Sequence, residues 1–218
     1  MKPSVRDTVA RYGYAVIQDY RLGDDSVAVA SSLGEPLTPW GGRLIQELVP
    51  RAAATPNTYS GIYGLRSFPF HTDLAHWRVP PRYLLLRCVR GYAEVPTLLL
   101  DGQDLIDTAT SDLLARAIFI PRRPRGGTLT LLRLCEHVEQ TVRFRWDAVF
   151  LKPASKVGDV ADKLVRTWLA ETTPISTKLT QAGDTLLIDN WRVLHARSPI
   201  PSGCEDRKIE RIYLELLH

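Results

Sequence analysis

Hydrophobic and polar positions along this chain follow two rhythms. Short stretches of helical spacing cluster near the start and in the middle, and short apolar or alternating runs bounded by turn residues fill the rest. Residues 4–12 (SVRDTVARY) have a helical pattern that stops at Gly13, and Tyr14 to Ile17 follow as a strand. Residues 25–33 (DSVAVASSL) form a second helix, closed by Gly34 and Pro36. Leu44 to Val49 is a short strand ahead of Pro50, and the turn-rich, aromatic stretch from Thr58 to Phe70 is expected to be a loop. Tyr83 to Val89 and Thr97 to Leu100 are strands, bounded by Pro80-Pro81, Gly91 and Asp101-Gly102. One or two helices occupy 103–117. Strands are then expected at Thr128 to Leu134, Thr141 to Trp146, Thr185 to Ile188 and Ile209 to Leu216, with a helix at Val160 to Leu169 among them. This order fits a β-sandwich or barrel dressed with helices and fits parallel βαβ alternation poorly.

Length and composition narrow the class. The 218 residues, with no linker, repeat or low-complexity tract, read as a single domain over 1–218 with one sizeable core. The 44% hydrophobic and 24% charged residues are those of an ordinary soluble protein. No apolar run approaches a membrane span, and the opening MKPSVRDTVARYGYAV lacks the apolar stretch and cleavage site of a signal peptide, so a cytoplasmic protein with no membrane partner is expected. Cys88, Cys135 and Cys204 are odd in number and widely spaced, without CxxC; they read as free thiols, and Cys204 as an exposed one.

The formal charge of +4 raises the question of nucleic acid. The basic residues come in short groups (Arg82, Arg87, Arg90; Arg122, Arg123, Arg125; Arg143, Arg145), mostly broken by apolar residues or proline, and no nucleic-acid-binding module accompanies them. Solvated faces account for them, and a preference for acidic small molecules is the only other reading they leave.

Three segments carry candidate chemistry. In Phe70-His71-Thr72-Asp73, residues i and i+2 of an extended strand project to one side, so His71 and Asp73 can share a divalent metal; alone, the pair is equally that of a satisfied histidine beside a solvated aspartate. GDTLLIDNWRVLHARSP, Gly183 to Pro199, reads as turn, apolar strand, Asp189-Asn190 turn and then His195, which can bring a second imidazole to the same ion. Two histidines and one carboxylate form the facial triad of oxygen-activating iron(II) sites, leaving three positions: two for a chelating keto acid and one for O2. In Arg207-Lys208-Ile209-Glu210-Arg211, alternate spacing puts Arg207 and Arg211 on one face with no acid between them, which implies either an anionic ligand or an exposed edge strand.

Together these segments resemble the taurine dioxygenase/clavaminate synthase-like (TauD/TfdA-type) 2-oxoglutarate-dependent oxygenases. SFPFHTDLAHWRVPPRYLLLRCVRG is similar to that family's first metal motif, GDTLLIDNWRVLHARSP to its distal-histidine segment and RKIERIYLEL to its terminal arginine strand. RYGYAVIQDY and SSLGEPLTPW are similar, less specifically, to its entry elements. The resemblance implies a double-stranded β-helix, or jelly roll, flanked by N-terminal and mid-chain helices. It implies Fe(II) held by His71, Asp73 and His195, and 2-oxoglutarate held at its distal carboxylate by Arg207 with help from the Thr97 hydroxyl. It places Arg211 at a position that in some members meets an anionic group of the substrate, and it leaves Asn190 shaping backbone. The chain departs from the family in being short and in carrying Trp191 where arginine is common; that tryptophan either packs against the site or covers the sheet.

The implied reaction couples oxidative decarboxylation of 2-oxoglutarate to hydroxylation of an unactivated C–H. The carboxylate of Asp73 sits where halogenating relatives lack one, which favours hydroxylation, desaturation or cyclisation. The expected substrate is a small anionic or amino-acid-like metabolite, with Tyr59 and Tyr63 as part of a lid or as ordinary loop packing. A non-catalytic ligand-binding sandwich is the other class of reading, though it would be expected to have lost a ligand or Arg207. Nucleic-acid demethylases carry Arg-x-Asn-x-x-x-Arg after the distal histidine, where this chain has Arg207-Lys208-Ile209, and a cupin would carry His-x-His at the first motif. His76 is expected at the surface or in packing, and a homodimer through exposed sheet edges is a further expectation.

Overall fold

The computed structural model describes residues 3–39, 41–52, 54–106, 110–123 and 128–218. The chain opens with α1 (Val5–Tyr12), β1 (Tyr14–Ile17), α2 (Ser26–Leu33), β2 (Gly34–Leu37) and β3 (Gln46–Leu48). Next come α3 (Tyr59–Tyr63), β4 (Phe68–His71), β5 (Tyr83–Arg90), β6 (Thr97–Asp101), α4 (Gly102–Ile106) and α5 (Ser111–Arg116). The middle holds β7 (Ile118–Pro121), β8 (Leu132–Arg133), β9 (Cys135–Val138), β10 (Thr141–Phe144), β11 (Leu151–Pro153) and α6 (Lys156–Glu171), and the chain closes with β12 (Ile175–Thr177), β13 (Thr185–Asp189), β14 (Val193–Arg197) and β15 (Lys208–Leu217).

Two antiparallel sheets make the body. The larger runs β1-β13-β5-β15-β2; β15 pairs with β3 at Ile209–Arg211 and with β2 from Tyr213 onward, so one long strand receives two short ones along one edge. The smaller runs β12-β6-β14-β4. Their inner faces meet through Leu84, Leu86, Ile188 and Tyr213 from the first sheet and Leu99 and Val193 from the second. Helices cover both outer faces. Val9 of α1 and Val29, Ala30 and Leu33 of α2 pack on Leu85, Leu187, Ile212 and Leu214. Leu114 of α5 and Ala161 and Val165 of α6 join Leu194, Phe119 and Trp146 on the other side. Coverage of both faces explains why β13 (TLLID) has an apolar centre of three consecutive residues and is buried at every position.

The sequence-predicted helices and principal strands are present to within a few residues. Ser4 and Asp7 cap α1 reciprocally, and Gly13 closes it at φ 78, where an added Cβ would lie 2.5 Å from Val193. Gly34 closes α2 as expected, its N–H on Ala30 O, but in extended backbone (φ 179), and it also opens β2, with Pro36 tolerated because β2 is an edge strand. The expected loop over Thr58 to Phe70 contains α3, capped by the Thr58 hydroxyl on Gly61 N, and the start of β4. The predicted strand at Thr128 to Leu134 shrinks to β8, since Leu129 and Leu131 are exposed and only Leu132 and Leu134 reach the core. Cys204 is buried beside Val95 and Ile200, not exposed. Trp40, Arg125 and residues 107–109 of the mid-chain helical stretch lie outside the described residues.

Candidate active site

β4 and β14 are neighbours in the smaller sheet, and His71 stands directly opposite His195 in their register. Their rings lie 4.4 Å apart between centroids. Asp73 reaches the same place by a different route from a strand alternation. β4 ends at His71, and Asp73 begins a turn in which Leu74 adopts φ 56, a conformation that costs a branched side chain energy and is held here from outside. The holder is Asn190. Its Oδ1 accepts from Asp73 N (2.6 Å), while its Nδ2 donates to Asp73 O (3.0 Å) and Pro81 O (2.9 Å). The backbone-shaping role given to Asn190 is thus played directly on the metal-motif turn. The Gly183-Asp184 pair ahead of β13 is also structural: Gly183 has φ 95, and Asp184 Oδ2 accepts from Thr180 N and Gln181 N.

One Asp73 oxygen faces the imidazoles, with Oδ1 3.5 Å from His71 Nε2 and 3.7 Å from His195 Nε2. The other is taken: Oδ2 accepts from Arg211 Nη1 (2.8 Å) and Tyr213 Oη (2.9 Å). One donor atom from each of His71, Asp73 and His195 lies within 4.8 Å of the others, and all three residues are buried. Donors on one face of an octahedral ion with bonds near 2.1 Å sit roughly 3 Å apart, so a divalent ion fits with small side-chain adjustments. Nδ1 of His71 bonds to Pro69 O at 2.9 Å, which leaves Nε2 to present its lone pair to an ion.

The electrostatics suit that ion. Burial would raise the Asp73 pKa, but Arg211, the His71 hydrogen bond and the two imidazoles outweigh it and hold the carboxyl far below its usual range. Burial, then the neighbouring His71, pushes His195 down to about 3, so its imidazole is neutral at ordinary pH, as a metal donor must be. For His71 the burial penalty is outweighed by the Asp73 hydrogen bond and by the charges of Asp73 and Asp147, which leave it above the usual value.

A cavity of about 600 Å³ opens from the triad. At one end lie Thr97, Arg207 and Arg197. Arg207 is buried, its Nε has no hydrogen-bond partner, and desolvation lowers its pKa. Arg197 is lowered to about 10 by burial and then by the charge of Arg207. Another wall carries Tyr59, Phe150, His76, Trp77 and Asp147. Tyr59 stacks on the His71 ring at 4.4 Å between centroids, and Asp147, bridged to His71 through the backbone, accepts from Val149 N and Phe150 N.

Of the residues predicted from sequence, His71, Asp73, His195, Thr97, Arg207 and Arg211 all line this cavity. Arg211 does so as a paired cation: besides Asp73, its Nε donates to Gln46 Oε1 at 3.0 Å. The acid missing from its own face of the strand is supplied by the metal motif. Tyr63 packs on Tyr59 and Phe68 behind the wall, while Tyr59 lines the cavity. His76, expected at the surface or in packing, is on the lining. Trp191 covers the sheet edge, with its indole N–H on Pro80 O and the Arg82 and Arg143 guanidinium groups against its ring. Asp147 and Arg197 are charged lining residues that sequence reasoning missed, and Trp77, Phe150 and Tyr213 line the cavity unforeseen as well.

Fold and site together define the class: a double-stranded β-helix with a two-histidine, one-carboxylate cluster between its sheets. Solved structures of non-haem iron oxygenases share this fold. The asparagine oxygenase complexed with Fe(II), 2S,3S-3-hydroxyasparagine and succinate aligns over 96% of this chain and 78% of its own, with TM-score 0.69 and 17% identity. The oxygenase OrfP with Fe and alpha-ketoglutaric acid aligns over 95% and 76%, with TM-score 0.69 and 20% identity. PvcB from Pseudomonas aeruginosa aligns over 95% and 77%, with TM-score 0.69 and 16% identity. No protein-family model and no curated protein sequence matches the chain.

Proposed function

We propose that this protein is an Fe(II)- and 2-oxoglutarate-dependent oxygenase that oxidises an unactivated C–H of a small amino-acid-like molecule. One observation carries the proposal: His71, Asp73 and His195 converge at a cavity whose far end presents the buried Arg207 guanidinium without an acidic partner among the described residues. A buried, uncompensated cation is costly, and a carboxylate delivered by a ligand offsets that cost. When bound, iron with the keto acid would supply the oxidising chemistry, and His71, Asp73 and His195 are the donors that would hold the ion.

The residues divide the remaining work. Thr97 and Arg207 hold the distal carboxylate of 2-oxoglutarate. Arg211 and Tyr213 fix one Asp73 oxygen so that the other stays turned to the ion. Tyr59 and Phe150 form an apolar wall that excludes water from the reacting end. Asp147, a buried carboxylate beside that wall, suits a substrate ammonium group, with the aromatic faces adding to its attraction. An amino acid meets that requirement, in keeping with the hydroxy-amino acids bound by the asparagine oxygenase and by OrfP. Arg211, already paired, serves Asp73 and not the substrate.

The test is an anaerobic titration of the protein with Fe(II) and 2-oxoglutarate. A visible charge-transfer band of the chelate is expected, and an amino acid that is a substrate shifts it. Asp73→Ala is expected to abolish 2-oxoglutarate-dependent succinate release. Undiminished succinate formation by that variant would overturn the triad.

A further inference from the structure

The Thr97 end of the cavity holds a second guanidinium that the reaction as described leaves idle. Arg197 sits on β14 two residues beyond His195 and opposite Thr97 in the register with β6, and it lines the cavity together with Arg207. Backbone oxygens hold it there: Nη2 donates to Gly64 O (2.9 Å) and Arg66 O (2.6 Å), and Nε to Ser198 O (3.3 Å). Its Cζ lies 3.7 Å from the centroid of the Phe68 ring, which buries one face of the guanidinium. No carboxylate among the described residues pairs with it, and Nη1 makes no hydrogen bond to them.

Two like charges sharing a half-buried end repel each other more strongly than in water, and neutral carbonyls soften that without cancelling it. A single carboxylate can take a two-bond fork from one guanidinium and still feel the full charge of the other. A ligand end with no charge relieves neither.

We propose that Arg197 is a second anion anchor, which makes the Thr97–Arg207 end of the cavity select a dicarboxylate co-substrate over a 2-oxo acid with one carboxylate. The proposal rests on the oxygenase reading and adds to it a residue that sets co-substrate choice. A hydrogen bond to a charged group corresponds to about 10- to 100-fold in binding, and that is the contribution assigned here. Binding of a ligand such as 2-oxobutanoate, which has nothing to offer that end, gains nothing from Arg197.

The experiment compares 2-oxoglutarate and 2-oxobutanoate binding to the Fe(II)-loaded protein under anaerobic conditions by titration calorimetry, in the parent, Arg197→Gln and Arg197→Lys. Glutamine keeps a donor for the Gly64 and Arg66 carbonyls and loses the charge, while lysine keeps the charge and loses the fork. Arg197→Gln is expected to weaken 2-oxoglutarate about 10- to 100-fold and to leave 2-oxobutanoate within about twofold. Arg197→Lys is expected to retain most of the discrimination. Equal weakening of both ligands, or of neither, in Arg197→Gln overturns the assignment and leaves Arg197 a staple for the 64–66 segment. A parent protein that binds neither ligand takes down the oxygenase reading itself and this inference with it.

Discussion

Arg207, just ahead of β15, and Arg211, on it, stand four residues apart and line one cavity, the first buried and the second half-buried, yet they live in opposite circumstances. Arg211 has Asp73, Gln46 and the Tyr213 ring around it. Arg207 has no acid. The difference comes from what each meets across the cavity. Opposite Arg211 the metal-motif turn delivers a carboxylate; opposite Arg207 the smaller sheet delivers Thr97 and a second arginine. A buried arginine with its acid in place is part of the frame. One without it is a receptor.

Removing each charge separates the two most widely. Arg211→Met strands a buried carboxylate and is expected to destabilise the metal-free protein by about 3–5 kcal/mol. Arg207→Met deletes an uncompensated charge and is expected to be neutral or stabilising by roughly 1–3 kcal/mol, while 2-oxoglutarate binding is lost. Chemical denaturation of both variants checks the pair. Equal destabilisation would mean that Arg207 has a protein partner and is no receptor.

Acid comes next in size. His195 titrates near 3 in the metal-free fold against an ordinary value of 6.5, so the unfolded chain takes up its proton first. Stability contributed by its neutrality is complete above pH 6.5 and is lost progressively as pH falls from there toward 3. His71 has the opposite shift: its contribution is complete below 6.5 and fades only as pH rises through its elevated folded value, so it is constant across the acid window. Asp73, depressed from 3.8, adds its own loss only below that value. The melting temperature of the metal-free protein is therefore expected to drop between pH 6.5 and 3.8, and His195→Gln to flatten that drop. An unchanged slope in the variant would assign the acid sensitivity elsewhere.

Much of this was legible in the sequence because local signals and long-range placement agreed. The apolar run 186–188, the largely apolar 209–216 and the Gly13 stop each state their structure in a few residues. The metal residues were legible as residue types, though the alternation argument for His71 and Asp73 was only half right, since the strand ends between them and Asn190, 117 positions away, sets the second ligand. Arg197 was within reach: it stands two positions after His195 on a strand, the same spacing that drew attention to Asp73. Asp147 was not. It meets His71 through an isolated bridge from the segment after β10, and no spacing in the sequence announces a contact between residues 76 positions apart. The partner of Arg211 was hidden for the same reason, because strand alternation reports which residues share a face and says nothing of what faces them.

The smallest change probes the Arg211 side most finely. Tyr213 donates to the Asp73 oxygen that Arg211 also holds, at 2.9 Å and in full burial. Tyr213→Phe removes the hydrogen bond to Asp73 and keeps the ring that packs between the sheets. A hydrogen bond to a buried carboxylate contributes about 1.5–3 kcal/mol, and part of that loss is recovered because Arg211 keeps its contact with the same oxygen. The variant is thus expected to lose about 1–2 kcal/mol of stability and to bind Fe(II) more weakly by severalfold, because Asp73 gains freedom to rotate away from the imidazoles. Co-substrate selection, which depends on the other end of the cavity, should be untouched. If 2-oxoglutarate binding changed while Fe(II) affinity did not, the division into a framing arginine and a receiving one would fail, since a group bonded to the framing carboxylate would have been acting on the receptor.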